Sequence, residues 1–134
     1  MNDRKIRRRE FLMAASVAAG AFGTPSWPVP EQKGEMYGMI GKITTVSGKR
    51  DEFIAILLDG TREMPGCLSY VVAKDASDAN AIWVSEVWDS KASHDASLSQ
   101  ASVREAMAKG RPLIAGFSNH VVTMPVGGVG LPKR

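Results

Sequence analysis

The sequence predicts an α+β domain of element order βαββαβ, and three observations predict it. Ala81–Trp88 (AIWVSEVW) alternates with period two and is largely apolar on both sides, as a covered central strand would be. Residues 49–64 carry an apolar stripe at helical spacing, between a strand-like run at 36–46 and the breaker pair Pro65-Gly66. A second helical stretch follows Trp88 and leads into a last apolar strand at 117–124.

The elements follow in chain order. Residues 1–23 are expected to be removed from the mature chain. Arg4, Lys5, Arg7, Arg8 and Arg9 form a basic segment, residues 11–22 an apolar run, and Ala21-Phe22-Gly23 a small-x-small cleavage site. The apolar run is too short to anchor in a bilayer. Arg8-Arg9-Glu10-Phe11-Leu12 resembles the twin-arginine export signal, with Arg7 where a polar residue is usual. That resemblance implies a periplasmic or extracellular location. No cysteine stands near the cleavage site to carry a lipid.

The whole chain has 17 basic and 14 acidic residues. Taking away the five basic residues above, with Asp3 and Glu10, leaves 12 of each. A neutral mature chain has no basic stripe, which argues against nucleic acid or a membrane surface as partner. Residues 24–35 hold three prolines and Trp27 and read as an extended linker. About 100 residues remain for one compact domain, at 36–130, followed by a short tail at 131–134.

Within that domain, residues 36–46 form the first strand, with Tyr37, Met39, Gly41 and Ile43 on one face. Gly38 and Gly41 are costly in a strand and suggest close approach of another group. Ser47 is placed to cap the helix at 49–64, with Asp51 and Glu52 in its first turn and Phe53, Ile54, Leu57, Leu58 and Met64 as its apolar stripe. Cys67–Lys74 is the second strand, and Asp75 to Asn80 a polar turn into the third. Asp89 and Ser90 offer capping chemistry for a short helix that carries His94, Ser97 and Leu98. Ser102 and Glu105 have the spacing of a capping box for a further helix closed by Gly110 and Pro112. His120, at the polar start of the last strand, is expected to face solvent.

The only cysteine, Cys67, precludes an internal disulfide, so the fold rests on packing or on oligomerisation. Its expected role is that of a small packed residue. No CxxC, HxxxH or carboxylate cluster has metal-ligand spacing, and no glycine-rich phosphate loop precedes a helix, so the motifs offer no metal site.

The candidate site lies at 81–98. Alternation puts Ile82, Val84, Glu86 and Trp88 on one strand face, and a bare carboxylate there would cost several kcal/mol, on the order of a small domain's stability. Glu86 therefore needs a partner, a proton or water. A tight turn after Trp88 brings His94 close to it, and imidazole titrates near neutral pH. Glu86, Trp88 and His94 form the candidate site, unless Glu86 and His94 merely satisfy each other.

The order βαββαβ is the ferredoxin-like arrangement. PGCLSYVV at 65–72, SEVWDSKASHDASL at 85–98, GRPLIAGF at 110–117 and the closing Val-Gly-Gly-x-Gly at 126–130 resemble the antibiotic biosynthesis monooxygenase family, in its quinol monooxygenase branch. The resemblance spans nearly all of the mature chain. It implies a four-stranded antiparallel sheet and a homodimer, a dimeric α+β barrel in which two sheets meet and helices cover the outside. A sheet apolar on both faces also needs a second layer that one chain of this size does not supply. Tyr70, Val72, Trp83 or Val87 are expected to contribute to that layer, with the face it covers left open.

The resemblance further implies oxidation of a quinol-like or phenolic aromatic by molecular oxygen, often without metal or flavin. In that reading His94 draws the phenolic proton and Glu86 orients the histidine or a substrate hydroxyl. Trp88 forms the wall on which the ring stacks, and Tyr37, Met39, Tyr70 and Ser97 line the site. Family members that degrade haem use an Asn–Trp–His triad. Here Trp88 matches the tryptophan, but the first strand offers Gly38, Met39 and Gly41 and no asparagine. Many oxygenase members place a histidine nine residues after the tryptophan, where this chain has Ser97, while His94 follows at six. The alternative is a non-catalytic dimeric module that binds a small aromatic ligand.

Overall fold

The computed structural model describes residues 34–133, so the expected signal segment at 1–23 and the expected linker through residue 33, Trp27 included, lie outside the described residues. The described chain runs β1 (Tyr37–Thr45), α1 (Arg50–Gly60), β2 (Cys67–Lys74), β3 (Ala81–Trp88), α2 (Lys91–Ser97), α3 (Ala101–Gly110), a 3-10 turn (Arg111–Leu113) and β4 (Ile114–Thr123). The four strands form one antiparallel sheet in the order β2-β3-β1-β4. This is the ferredoxin-like arrangement, with the second helical segment split in two.

The core lies between one sheet face and the helices. Ile43, Ile82, Val84 and Ile114 from the sheet meet Phe53 from α1, which is 2% exposed. Tyr70 and Val72 pack against this cluster, so they face the helices and not a second sheet. The opposite face carries Trp83 and Val87 with Ile40, Val71 and Val121, and the last two are each 52% exposed. In the single chain that face is uncovered, which departs from the expectation that both sides of β3 are buried alike.

Several boundaries differ from those the sequence suggests. α1 ends at Gly60, a turn earlier than expected, because the Thr61 hydroxyl and amide both bond back to the Leu57 carbonyl and close the last turn. Ser47 does not cap it; Lys49 occupies the N-cap without a side-chain bond. The Ser102–Glu105 capping box does not form either. α3 starts at Ala101, and Glu105 pairs instead with Lys109 at 2.9 Å, the i,i+4 partner one turn on. β4 begins three residues before 117, as the 3-10 turn directs the chain straight back into the sheet.

The turn between β2 and β3 is held by Asp75. Its carboxylate accepts from the Trp83 indole N–H at 2.8 Å and from the Ser77 and Asp78 amides, with Lys42 at 3.3 Å. These donors, the Trp83 N–H foremost, hold its carboxyl well below the usual range.

A cavity with two histidines and a buried carboxylate

The site sits on the helix-facing side of the sheet, where three strands present one cross-strand row. Met39 on β1 and Tyr70 on β2 are both paired with Glu86 on β3, and all three line a cavity of about 130 Å³. Phe53, Leu57 and Met64 from α1 and the segment after it, with Leu98, Val103 and Met107 from the α2–α3 region, close it from above. Its walls are mainly apolar. Trp88, His94, Ser97 and His120 complete the lining.

Glu86 is satisfied by a neighbour on its own strand. Two residues apart on one strand face, Trp88 Nε1 donates to Glu86 Oε2 at 2.8 Å. Burial pushes the Glu86 carboxyl up from its ordinary value, against the Trp88 bond and the nearby His94 and His120. The same burial pushes the Tyr70 phenol far up, and Glu86 and Cys67 add to it. The Cys67 thiol is also raised by burial and by Glu86, which disfavours the thiolate a nucleophile needs.

His94 reaches the cavity because α2 starts sharply. Ser90, in extended conformation, accepts from the Ser93 amide through its hydroxyl and caps the helix. One turn on, His94 is 4% exposed, and its ring meets the Trp88 ring edge-on with centroids 5.5 Å apart. Tyr37 lies on its other flank at 5.1 Å and does not line the cavity, so its expected lining role gives way to supporting the histidine. Burial and the charges of Asp95 and Glu86 raise the Tyr37 phenol. Ser97 is buried, and its hydroxyl donates to the His94 carbonyl at 2.6 Å.

The expected bond between Glu86 and His94 is replaced by two separate ones. Glu86 holds the Trp88 indole, and His94 Nδ1 lies 3.0 Å from Asp95 Oδ1. Asp95 escaped the sequence reading because neighbours on a helix do not normally face each other.

No curated protein matches. Residues 36–109 match the family model described as antibiotic biosynthesis monooxygenase, over more than half of the chain. The chain belongs to the antibiotic biosynthesis monooxygenase family. A crystal structure of a candidate member from Chloroflexus aurantiacus J-10-fl is 59% identical, with a TM-score of 0.71, covering 72% of this chain and 99% of that one. A second, from Caulobacter crescentus CB15, is 22% identical with a TM-score of 0.59, covering 69% and 90% of the two chains. A third, from Bacteroides thetaiotaomicron VPI-5482, is 14% identical with a TM-score of 0.62, covering 74% and 96%. These last two share the fold. Family membership supports a general monooxygenase-like function.

In this family member one lining residue adds to expectation. His120 is exposed, as the sequence suggests, and it also stands at the rim of the cavity. Between Ile40↔Val121 and Lys42↔Ser118 the β1–β4 register slips, so Asn119 and His120 together oppose Gly41, and Asn119 takes a φ of 53°. The bulge turns His120 to the helix side, where its ring lies 3.8 Å from the place a Cβ on Gly41 would occupy. Gly38 is packed instead against Thr123 and Pro125. The close approaches that the two glycines announced therefore come from the chain's own last strand. The polar Ser118-Asn119-His120 break in an apolar strand was the readable signal. Among the described residues no group of three or more His, Cys, Asp or Glu is arranged to hold a metal.

Proposed function

We propose that this protein is an exported, cofactor-independent monooxygenase that oxidises a quinol-like or phenolic aromatic with molecular oxygen. The observation that carries the reading is the cavity itself, apolar around the walls with Glu86, His94 and His120 along its lining. An apolar cavity of about 150 Å³ takes up benzene, so about 130 Å³ suits a single ring better than a fused polycycle.

In this reading His94 takes the phenolic proton and leaves an electron-rich anion that oxygen can attack. Glu86, engaged by Trp88 and not by His94, orients a second substrate hydroxyl. For a dihydroxybenzene the sum is one quinol and one O₂ giving one hydroxyquinone and one water. One oxygen atom enters the ring, the other leaves as water, and all four electrons come from the substrate. A homodimer completes the reading, with the uncovered sheet face meeting its copy. Export rests on the twin-arginine resemblance alone, and Arg8→Lys with Arg9→Lys should retain the precursor in the cytoplasm, read by fractionation. Unchanged export would point to the general secretory route.

The test of turnover is oxygen uptake by purified, metal-free protein given 1,4-dihydroxybenzene, corrected for autoxidation. His94→Ala should slow it by about 10²–10⁴-fold, while ring binding weakens less. Normal uptake by His94→Ala removes this histidine from the chemistry. An aromatic bound tightly with no uptake by the native protein favours the binding module.

A further inference from the structure

We infer that Asp95 is a positioning residue for His94, holding its imidazole with Nδ1 protonated so that Nε2 offers its lone pair as the base. The inference rests on the proposed turnover for its catalytic consequence, but the tautomer can be read without any turnover.

The argument begins with the contact. His94 Nδ1 lies 3.0 Å from Asp95 Oδ1, although consecutive helix residues normally diverge. A carboxylate only accepts hydrogen bonds, so a neutral imidazole bonded to it must carry its proton on Nδ1. The Asp95 carboxylate is in turn held from its other oxygen, with Lys91 Nζ at 2.7 Å from Oδ2. Its side chain is 27% exposed, whereas that of His94 is 6% exposed. The ring is also gripped on its flanks by Tyr37 and Trp88, which leaves little freedom for it to flip. Nε2 lies on the ring edge away from Asp95, and His94 lines the cavity.

A proton passing from a phenol to Nε2 creates an imidazolium whose Nδ1–H still points at a carboxylate, so the charge forms beside a fixed opposite charge. The other groups around it are Glu86 on β3, Tyr37 on β1, Tyr70 on β2 and His120 on β4, with Lys91 on its own helix. Glu86 shares the cavity but spends its bond on Trp88, so it does not compete for Nδ1.

The experiment is a long-range ¹H–¹⁵N spectrum of the imidazoles at a pH where His94 is neutral. The chain has only two histidines, so His94→Gln assigns the signals. Native protein should show the Nδ1–H form. Asp95→Asn offers an amide N–H to Nδ1, so it should switch the ring to Nε2–H, lower kcat for 1,4-dihydroxybenzene at least about tenfold and change KM little. A native ring in the Nε2–H form overturns the inference, even if Asp95→Asn fails to fold. An unchanged tautomer and rate in Asp95→Asn overturns it too. The expected switch with no oxygen uptake by native protein upholds the role of Asp95 and sinks the monooxygenase reading.

Discussion

Glu86 and Trp88 illustrate how two side chains on one strand set each other's chemistry. The carboxylate would be costly on that face without the indole N–H, and the indole would bury an unpaired donor without the carboxylate. Because Trp88 is 1% exposed, Trp88→Ala would cost about 3–5 kcal/mol and report on stability more than on ring binding. Glu86→Gln is the cleaner probe, and its effect should depend on pH. The folded carboxyl has a raised pKa, so below its ordinary 4.5 folded and unfolded chains are both protonated and burial of the charge costs nothing. As pH rises from there through the folded value, native stability falls. Glu86→Gln should therefore melt higher than native protein at pH 8 and lose that advantage near pH 4, as measured by thermal unfolding across the range. An equal difference at both pH values would show that Glu86 is not held up by burial.

At the scale of the element, a helix of seven residues carries both His94 and Ser97 and has little intrinsic stability. Its start depends on the Ser90 cap, with the hydroxyl 3.1 Å from the Ser93 amide. Ser90→Ala should cost about 1 kcal/mol and speed amide exchange in residues 91–97 ahead of the rest of the domain. Uniform acceleration across the sheet would mean that α2 does not open separately. The capping at Ser90 was legible because a local polar residue before a helix has a local job. The box at Ser102 was equally plausible by spacing and did not form. There Glu105 finds Lys109 one turn on, and Gln100, in extended conformation, begins the helix earlier. Bulges are less legible still, since the extra residue at Asn119–His120 exists only relative to the strand it pairs with.

For the whole molecule, the uncovered sheet face is the feature that a single chain leaves unexplained. Ile40, Val71 and Val121 form an apolar set there beside Trp83, whose ring lies under Lys42 Nζ at 5.7 Å. If two copies meet on this face, mature protein should sediment as a dimer at micromolar concentration. Val71→Lys with Val121→Lys should then give a folded monomer, because neither side chain supports the core. A native protein that sediments as a monomer would contradict the dimer.

Element order and the apolar faces could be read along the chain because hydrophobic period, proline and glycine act over a few residues. Ala81–Trp88 was recognisable as a strand with an anomalous glutamate for that reason. Its partner was not, since the sequence points to His94 and the structure gives the Trp88 indole two residues along the same strand face. Which carboxylate meets which imidazole depends on side-chain directions across a turn, and these are set by packing between β3, α2 and β1. His120 reaches the cavity rim for the same kind of reason: a register slip against Gly41 brings its ring to the helix side while it stays exposed.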